Sequence, residues 1–353
     1  MSSFGTANSA MTTWFRNLAF AGLLLCFVVV VLGAYVRLNA AGLGCPDWPG
    51  CYGHITPTGA AANAAAQAAY PNMPLVVGKA WKEMIHRYAA STLGLIILVI
   101  AALAISTRKK RIVSLPLAVG LLVTVVVQGI LGMLTVTWLL KPLIVTLHLI
   151  FGLTTLSLLW WLYLSLRTGA RGGVRFAGAS SSNISAYPDR TQPPYRAMLV
   201  ALIALGIQIA LGGWTSSNYA AVACPDFPKC QNSWIPETDY KDAFVLWRGL
   251  GVNYEGGVLQ HPARVAIHFT HRLGALAATL VLLFAVVATL RRKVKPGVRI
   301  AAYAVVAALA LQLLIGASMV LKGFPLALAT AHNAGAALLL LTSLALYRAL
   351  RYP

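Results

Sequence analysis

In an otherwise apolar chain, the side chains able to do chemistry are few and come in two matching sets. Glu83-Met-Ile-His86-Arg87 stands at the mouth of one long apolar run, and His268-Phe-Thr-His271-Arg272 at the mouth of another. His148 and His332 each lie a few residues into a later apolar run. An ionisable group inside such a run is costly and usually functional. A neutral imidazole is a common metal ligand, and an acid three residues earlier shares its helix face. The chemistry on offer is therefore ligation of a metal-bearing group, with one acid beside one of the ligand pairs.

The elements that position these groups follow from composition. The chain has 353 residues, 59% hydrophobic and 10% charged, where a soluble protein carries about 25% charged. Apolar runs of membrane-spanning length recur eight times, and they are continuous rather than alternating, which selects helices over a closed barrel. The expected fold class is all-α membrane protein, with transmembrane helices at 16–36, 83–106, 114–138, 142–166, 196–217, 264–290, 298–321 and 325–347. The run 18–36 is too long for a signal sequence and lacks a cleavage site after it, so it is expected to stay as an anchor. The net charge of +20 could suggest nucleic acid. However, 17 of the 28 Lys and Arg fall in one set of loops and at the chain ends, with one acid, Asp189. That pattern describes a membrane protein facing lipids, with both termini cytoplasmic and no nucleic-acid partner.

The two halves repeat. Cys45-Pro-Asp-Trp-Pro-Gly-Cys51 aligns with Cys224-Pro-Asp-Phe-Pro-Lys-Cys230 at an offset of 179. His86 aligns with His271 at 185, Gln128-Gly-Ile-Leu-Gly132 with Gln312-Leu-Leu-Ile-Gly316 at 184, and His148 with His332 at 184. Each half has an even number of spans, so both enter from the same side. This predicts two parallel four-helix repeats about a pseudo-twofold axis along the membrane normal. The halves are 1–166 and 196–353, joined by a cytoplasmic linker at 167–195. Ala60–Ala69, in the first outer loop, is read as a short helix.

Counting from each histidine to the basic residue at the inner helix end gives 22 residues for His86 to Arg108 and 19 for His148 to Arg167. It gives 20 for His271 to Arg291 and 19 for His332 to Arg351. At 1.5 Å per residue all four lie roughly 29–33 Å from the inner edge, near the outer boundary of a core about 30 Å thick. Within a half the two histidines come from different helices. Two imidazoles facing across a gap can ligate haem iron axially, whereas zinc asks for three or four ligands, and no third strong ligand recurs in both halves. Arg87 and Arg272 are candidates to pair with haem propionates; snorkelling to the surface is the plainer reading. Glu83 is the asymmetric group, with His268 at the matching position. It reads as a catalytic acid or base beside His86, against the alternative of a solvated residue at a helix N-terminus. His268 could support the second site or exchange with His271. His54 and His261 read as surface residues.

Cys45 with Cys51, and Cys224 with Cys230, are read as disulfides in loops outside a bacterial cytoplasmic membrane. Their spacing is not that of a CxxC zinc knuckle. A redox or haem-handover role for the first pair is the sharper alternative to a structural staple. Cys26 reads as a small apolar residue.

These motifs together resemble the haem A synthase family over residues 16–350, in its bacterial form with cysteine pairs in the outer loops. The resemblance implies haem O as substrate, bound near His86 and His148. A ring methyl would be oxidised to a formyl group through hydroxylation, giving haem A for cytochrome oxidase. It further implies a resident haem b between His271 and His332, an essential glutamate at Glu83, and a role for Cys45 and Cys51 in reaction or haem transfer. Implied partners are haem O synthase and an electron-transfer partner; a homo-oligomer stays open. The rival readings are a dihaem b-type cytochrome for electron transfer and a transporter. The transporter asks for polar residues at mid-membrane, and the spans hold almost none.

Overall fold

The computed structural model describes residues 2–169 and 194–352. Within them the chain is helical, and β pairing is limited to isolated bridges between Cys51 and His54 and between Cys230 and Ser233. Eight helices are long and apolar enough to cross a membrane. They are α1 (Ser2–Leu38), α4 (Val77–Ser106), α5 (Leu115–Thr137), α6 (Pro142–Gly169), α7 (Tyr195–Ser217), α9 (His261–Leu290), α10 (Pro296–Leu321) and α11 (Leu326–Arg351). Three short helices, α2 (Pro57–Ala61), α3 (Ala64–Ala68) and α8 (Tyr240–Ala243), lie in the long loops. Proline in the first turn starts α5, α9 and α10, where its missing N–H leaves nothing unsatisfied. Outward side chains such as Leu95, Phe284 and Leu314 are exposed, as lipid-facing positions should be.

The eight expected spans are all present, with shifted ends. The helix α1 begins at Ser2 rather than 16, and α4 begins at Val77 rather than 83. Lys79 and Lys82 interrupt the apolar run, yet both ammoniums are accommodated at the first turns. Lys79 lies 3.8 Å from Glu255, and Lys82 donates to Asn39 Oδ1 at 2.9 Å. Glu83 is therefore in the second turn and buried, not a solvated residue at a helix mouth. The alanine-rich stretch forms two helices rather than one, because Asn63 caps α3 through its side chain on Ala66 N. Of the linker 167–195, residues 170–193 lie outside the described residues.

Helix packing follows the repeat. In the first half α1 packs on α4 and α6, and α5 on α4 and α6; in the second α7 packs on α9 and α11, and α10 on α9 and α11. Between halves α1 meets α11, α6 meets α7, and α6 meets α11. Exchanging the halves maps this set of contacts onto itself, which is consistent with the expected pseudo-twofold axis. Lipid tails are as apolar as leucine, so close approach at small residues holds such helices together. Gly22 lies against Ile96 and Leu159, and Gly213 against Leu149 and Thr146. Trp160 on α6 also donates to the Leu341 carbonyl of α11 at 2.9 Å.

Candidate functional site

Each histidine sits within the first two-fifths of its helix, at the end nearest the disulfide loops. Each ring lies edge-on against a glycine of a neighbouring helix. A Cβ at Gly33 would stand 3.0 Å from the Cε1 of His86, and one at Gly132 would stand 3.3 Å from that of His148. At Gly212 it would stand 3.1 Å from His271 Cε1, and at Gly316 3.0 Å from His332 Cε1. Only bare backbone admits the ring at this distance, which is a requirement on glycine from space alone. The glycines carry the repeat themselves, Gly33 with Gly212 and Gly132 with Gly316.

Three of the four rings also have a glutamine one turn from that glycine. Gln128 Nε2 donates to the His148 carbonyl at 3.0 Å and lies 3.4 Å from its ring Nε2. Gln208 Nε2 donates to the His271 carbonyl at 3.0 Å and lies 3.0 Å from its Nδ1. Gln312 Nε2 lies 3.2 Å from His332 Nε2. The glutamines need room on the facing helix, and they rest over Gly152, Gly274 and Gly335. At His86 the corresponding residues are Val29 and Ala89. A partner beside the ring restricts the orientation of a metal-bound imidazole; three rings have a glutamine amide in that place, and His86 has the Val29 backbone carbonyl instead.

The residues present fit haem. His86 with His148, and His271 with His332, lie within electrostatic reach of each other. Ring Nδ1 atoms of His86, His148 and His332 are buried without a hydrogen-bond partner, a state native structures rarely leave unexplained. No cluster of three or more His, Cys, Asp or Glu that could hold an ion occurs among the described residues. Paired imidazoles, two in each half, are the donors that could hold a haem iron. His271 and His332 line one cavity of about 1180 Å³, above the usual range of about 300–1,000 Å³ for small-molecule sites.

Glu83 is tied on both oxygens. Its Oε1 accepts from Arg87 Nη2 at 2.5 Å, and its Oε2 from the Cys45 backbone N–H at 2.9 Å. Arg87 in turn donates to the carbonyls of Asp47 at 2.9 Å and Gly50 at 2.6 Å. In the second half Arg272 donates to the carbonyls of Cys224, Asp226 and Lys229 at 2.7–2.8 Å. Its Nε lies 3.3 Å from His268 Nε2. Both arginines thus clamp a disulfide loop to the helix that carries a histidine. The bonds Cys45–Cys51 and Cys224–Cys230 are formed, and all four sulfurs belong to buried residues. Within each loop an aspartate accepts two backbone N–H groups, Asp47 from Tyr52 and Gly53, Asp226 from Gln231 and Asn232. Where the first half has a buried ion pair, the second has a buried imidazole against an arginine.

His54 sits in the first outer loop and pairs with Asn63, while His261 is the first residue of α9 rather than a loop residue and pairs with Gln231. Cys26 is a free, buried thiol. Sequence reasoning missed Gly33, Gly212, Gln208 and the contrast at Val29. The signal was the pattern Gln-x-x-x-Gly at 128–132, 208–212 and 312–316, of which the middle copy falls on a helix whose counterpart lacks the glutamine.

Comparison with known proteins agrees with this arrangement. A family model described as cytochrome oxidase assembly protein, COX15-CtaA, matches residues 16–344. A heme A synthase of Shewanella oneidensis is 43% identical over 332 residues, 94% of each chain. Heme A synthases of Rhizorhabdus wittichii and Paracoccus denitrificans are 27% and 28% identical, covering 94% and 92% of this chain and 91% and 84% of theirs. The chain belongs to the COX15-CtaA family of cytochrome oxidase assembly proteins.

Proposed function

We propose that the chain is a haem A synthase, an oxidoreductase that converts a ring methyl of haem O to a formyl group. The observation that carries this reading is that, of two like pairs of glycine-cradled histidines, the first alone has a buried acid, Glu83, beside it, where the second has His268. The substrate half is 1–166, where His86 and His148 would hold haem O by its iron. The other half, 196–353, would hold a resident haem b through His271 and His332. Bound haem supplies the redox chemistry. The protein's part is to orient the ring, to keep water from most of the site, and to handle protons as the methyl loses hydrogen. Glu83 is the group placed for that last task, one helical turn from His86.

Haem O synthase would supply the substrate, and a separate partner would exchange electrons with the resident haem. The membrane is the bacterial inner membrane with both termini cytoplasmic. This is supported by disulfides at one end of the bundle and by the basic turn Arg108–Arg111 at the other, through the oxidising-compartment and positive-inside rules.

The test is haem extraction and chromatography from membranes that contain this chain together with a haem O synthase. Haem A or its hydroxylated precursor, absent from a His86→Ala control, is the expected result. Haem B and unconverted haem O from intact red protein would replace this reading with a dihaem b-type cytochrome.

A further inference from the structure

The cavity that contains His271 and His332 is lined by three cationic side chains, Arg37, Arg264 and Arg272, and by no acid among the described residues. Drawing a guanidinium partly out of water has a desolvation cost that a counter-charge or carbonyl acceptors must offset. Arg272 meets that cost by donating to the carbonyls of its disulfide loop. The other two meet it incompletely. Arg37 Nη2 donates to the Ser216 and Ser217 carbonyls at 2.9 and 3.3 Å, but its Nε is buried without a partner. Arg264 Nε is also buried without a partner. A third donor is in the same state. The hydroxyl of Tyr219, whose ring lies 4.0 Å from the Arg37 guanidinium carbon, is buried and unpartnered, and Tyr219 lines the same cavity. Three orphaned donors, two of them cationic, on one cavity wall describe a site for a carboxylate ligand.

Their level in the bundle suits an amphipathic ligand. Arg264 precedes His271 by seven residues on α9, which places it two turns, about 10 Å, closer to the loop end on the same helix face. Arg37 lies one turn beyond Gly33 on α1, and Tyr219 just past the end of α7. All three thus stand on the loop side of the histidines, where the acidic edge of a macrocycle would point toward water. The first half has no equivalent group. The repeat puts Ser216, Ala40 and Lys79 at the positions of Arg37, Tyr219 and Arg264, and Lys79 lies beside Glu255.

We infer that Arg37, Tyr219 and Arg264 form a clamp for the propionates of the haem in the second half, with Arg37 contributed by the first half. This rests on the reading that His271 and His332 ligate that haem, and it sharpens that reading. The haem of the second half would be locked by its carboxylates, and the first-half site would release its occupant more readily.

The test uses the full chain in detergent, from haem-deficient cells, in a His86→Ala/His148→Ala background so that only the second site reports. The protein is titrated with haem b and with haem b dimethyl ester, whose propionates are blocked. The expected result is at least ten-fold tighter binding of haem b than of the ester. Arg37→Gln/Arg264→Gln should bring haem b down to the affinity of the ester and leave the ester unchanged. Arg37→Lys/Arg264→Lys should recover part of the difference. Equal affinity of the background protein for the two haems, or full discrimination in the Gln double variant, overturns the clamp. Separately, added His271→Ala should abolish the low-spin spectrum. If it does not, the ligand reading itself fails, whatever the arginines do.

Discussion

At the scale of single residues, the site depends on glycines as much as on histidines. A methyl group at Gly212 would sit 3.1 Å from His271 Cε1, so the ring must shift by a few tenths of an ångström or the helices must part. Gly212→Ala should therefore lower the haem content of the second site several-fold and disturb its low-spin signal. Gly206→Ala on the same helix, where nothing lies within 4 Å, should leave both unchanged. Equal haem content in the two variants would show that the cradle is not required. Glu83 calls for a similar separation of roles, because it both adjoins His86 and holds the Cys45 loop. Glutamine at this position can still accept the Cys45 N–H but cannot exchange protons. Glu83→Gln should retain bound haem and lose conversion by at least 100-fold in the extraction assay, and conversion within a few-fold of wild type would remove Glu83 from the chemistry. The histidines and Glu83 were legible in the sequence because charge or imidazole in an apolar run stands out. The glycines were not, because glycine is common in membrane helices and its meaning here comes from what the next helix places against it.

At the scale of elements, helix number and identity could be read from apolar length, while the start of α4 could not. Lys79 and Lys82 ended the apolar run early, and their partners Glu255 and Asn39 lie in distant loops. The two outer loops looked like irregular segments stapled by cysteines. In the fold an arginine of the adjoining transmembrane helix grips each disulfide loop, which no local pattern announces. Charge-assisted hydrogen bonds contribute about 1.5–3 kcal/mol each, so removing Arg87 should raise the open population of its loop by one to two orders of magnitude. Arg87→Ala should expose Cys45–Cys51 to a membrane-impermeant phosphine reductant at least ten-fold faster than wild type, with the Cys224–Cys230 rate unaltered. Arg272→Ala should do the reverse. Coupled acceleration of both bonds in either variant would mean that the loops open together and that the clamps are not local.

At the scale of the whole molecule, two halves of like construction differ by a few substitutions at corresponding positions, and under the proposed function these would bias them toward different tasks. The second half has Gln208 over Gly274 holding His271, and the first has Val29 and Ala89 at the corresponding positions. A ligand whose orientation is fixed by a second hydrogen bond holds its metal more firmly, with effects of 10–100-fold typical. Without the glutamine at His86, exchange would be favoured in that half, as the proposed function asks of a site that accepts one haem and releases another. The bias can be transplanted. Val29→Gln with Ala89→Gly supplies both the amide and the space it occupies in the second half. The double variant should hold haem in the first half about ten-fold longer, measured as slower transfer to an excess of apomyoglobin, and should turn over more slowly because product leaves late. Val29→Gln alone should perturb His86 without this gain, since the Ala89 methyl occupies the space that the amide needs. If the double variant released haem at the wild-type rate, the glutamine strap would not be what separates the halves, and the difference would have to lie at Glu83 and His268 or at the Arg37, Tyr219 and Arg264 cluster.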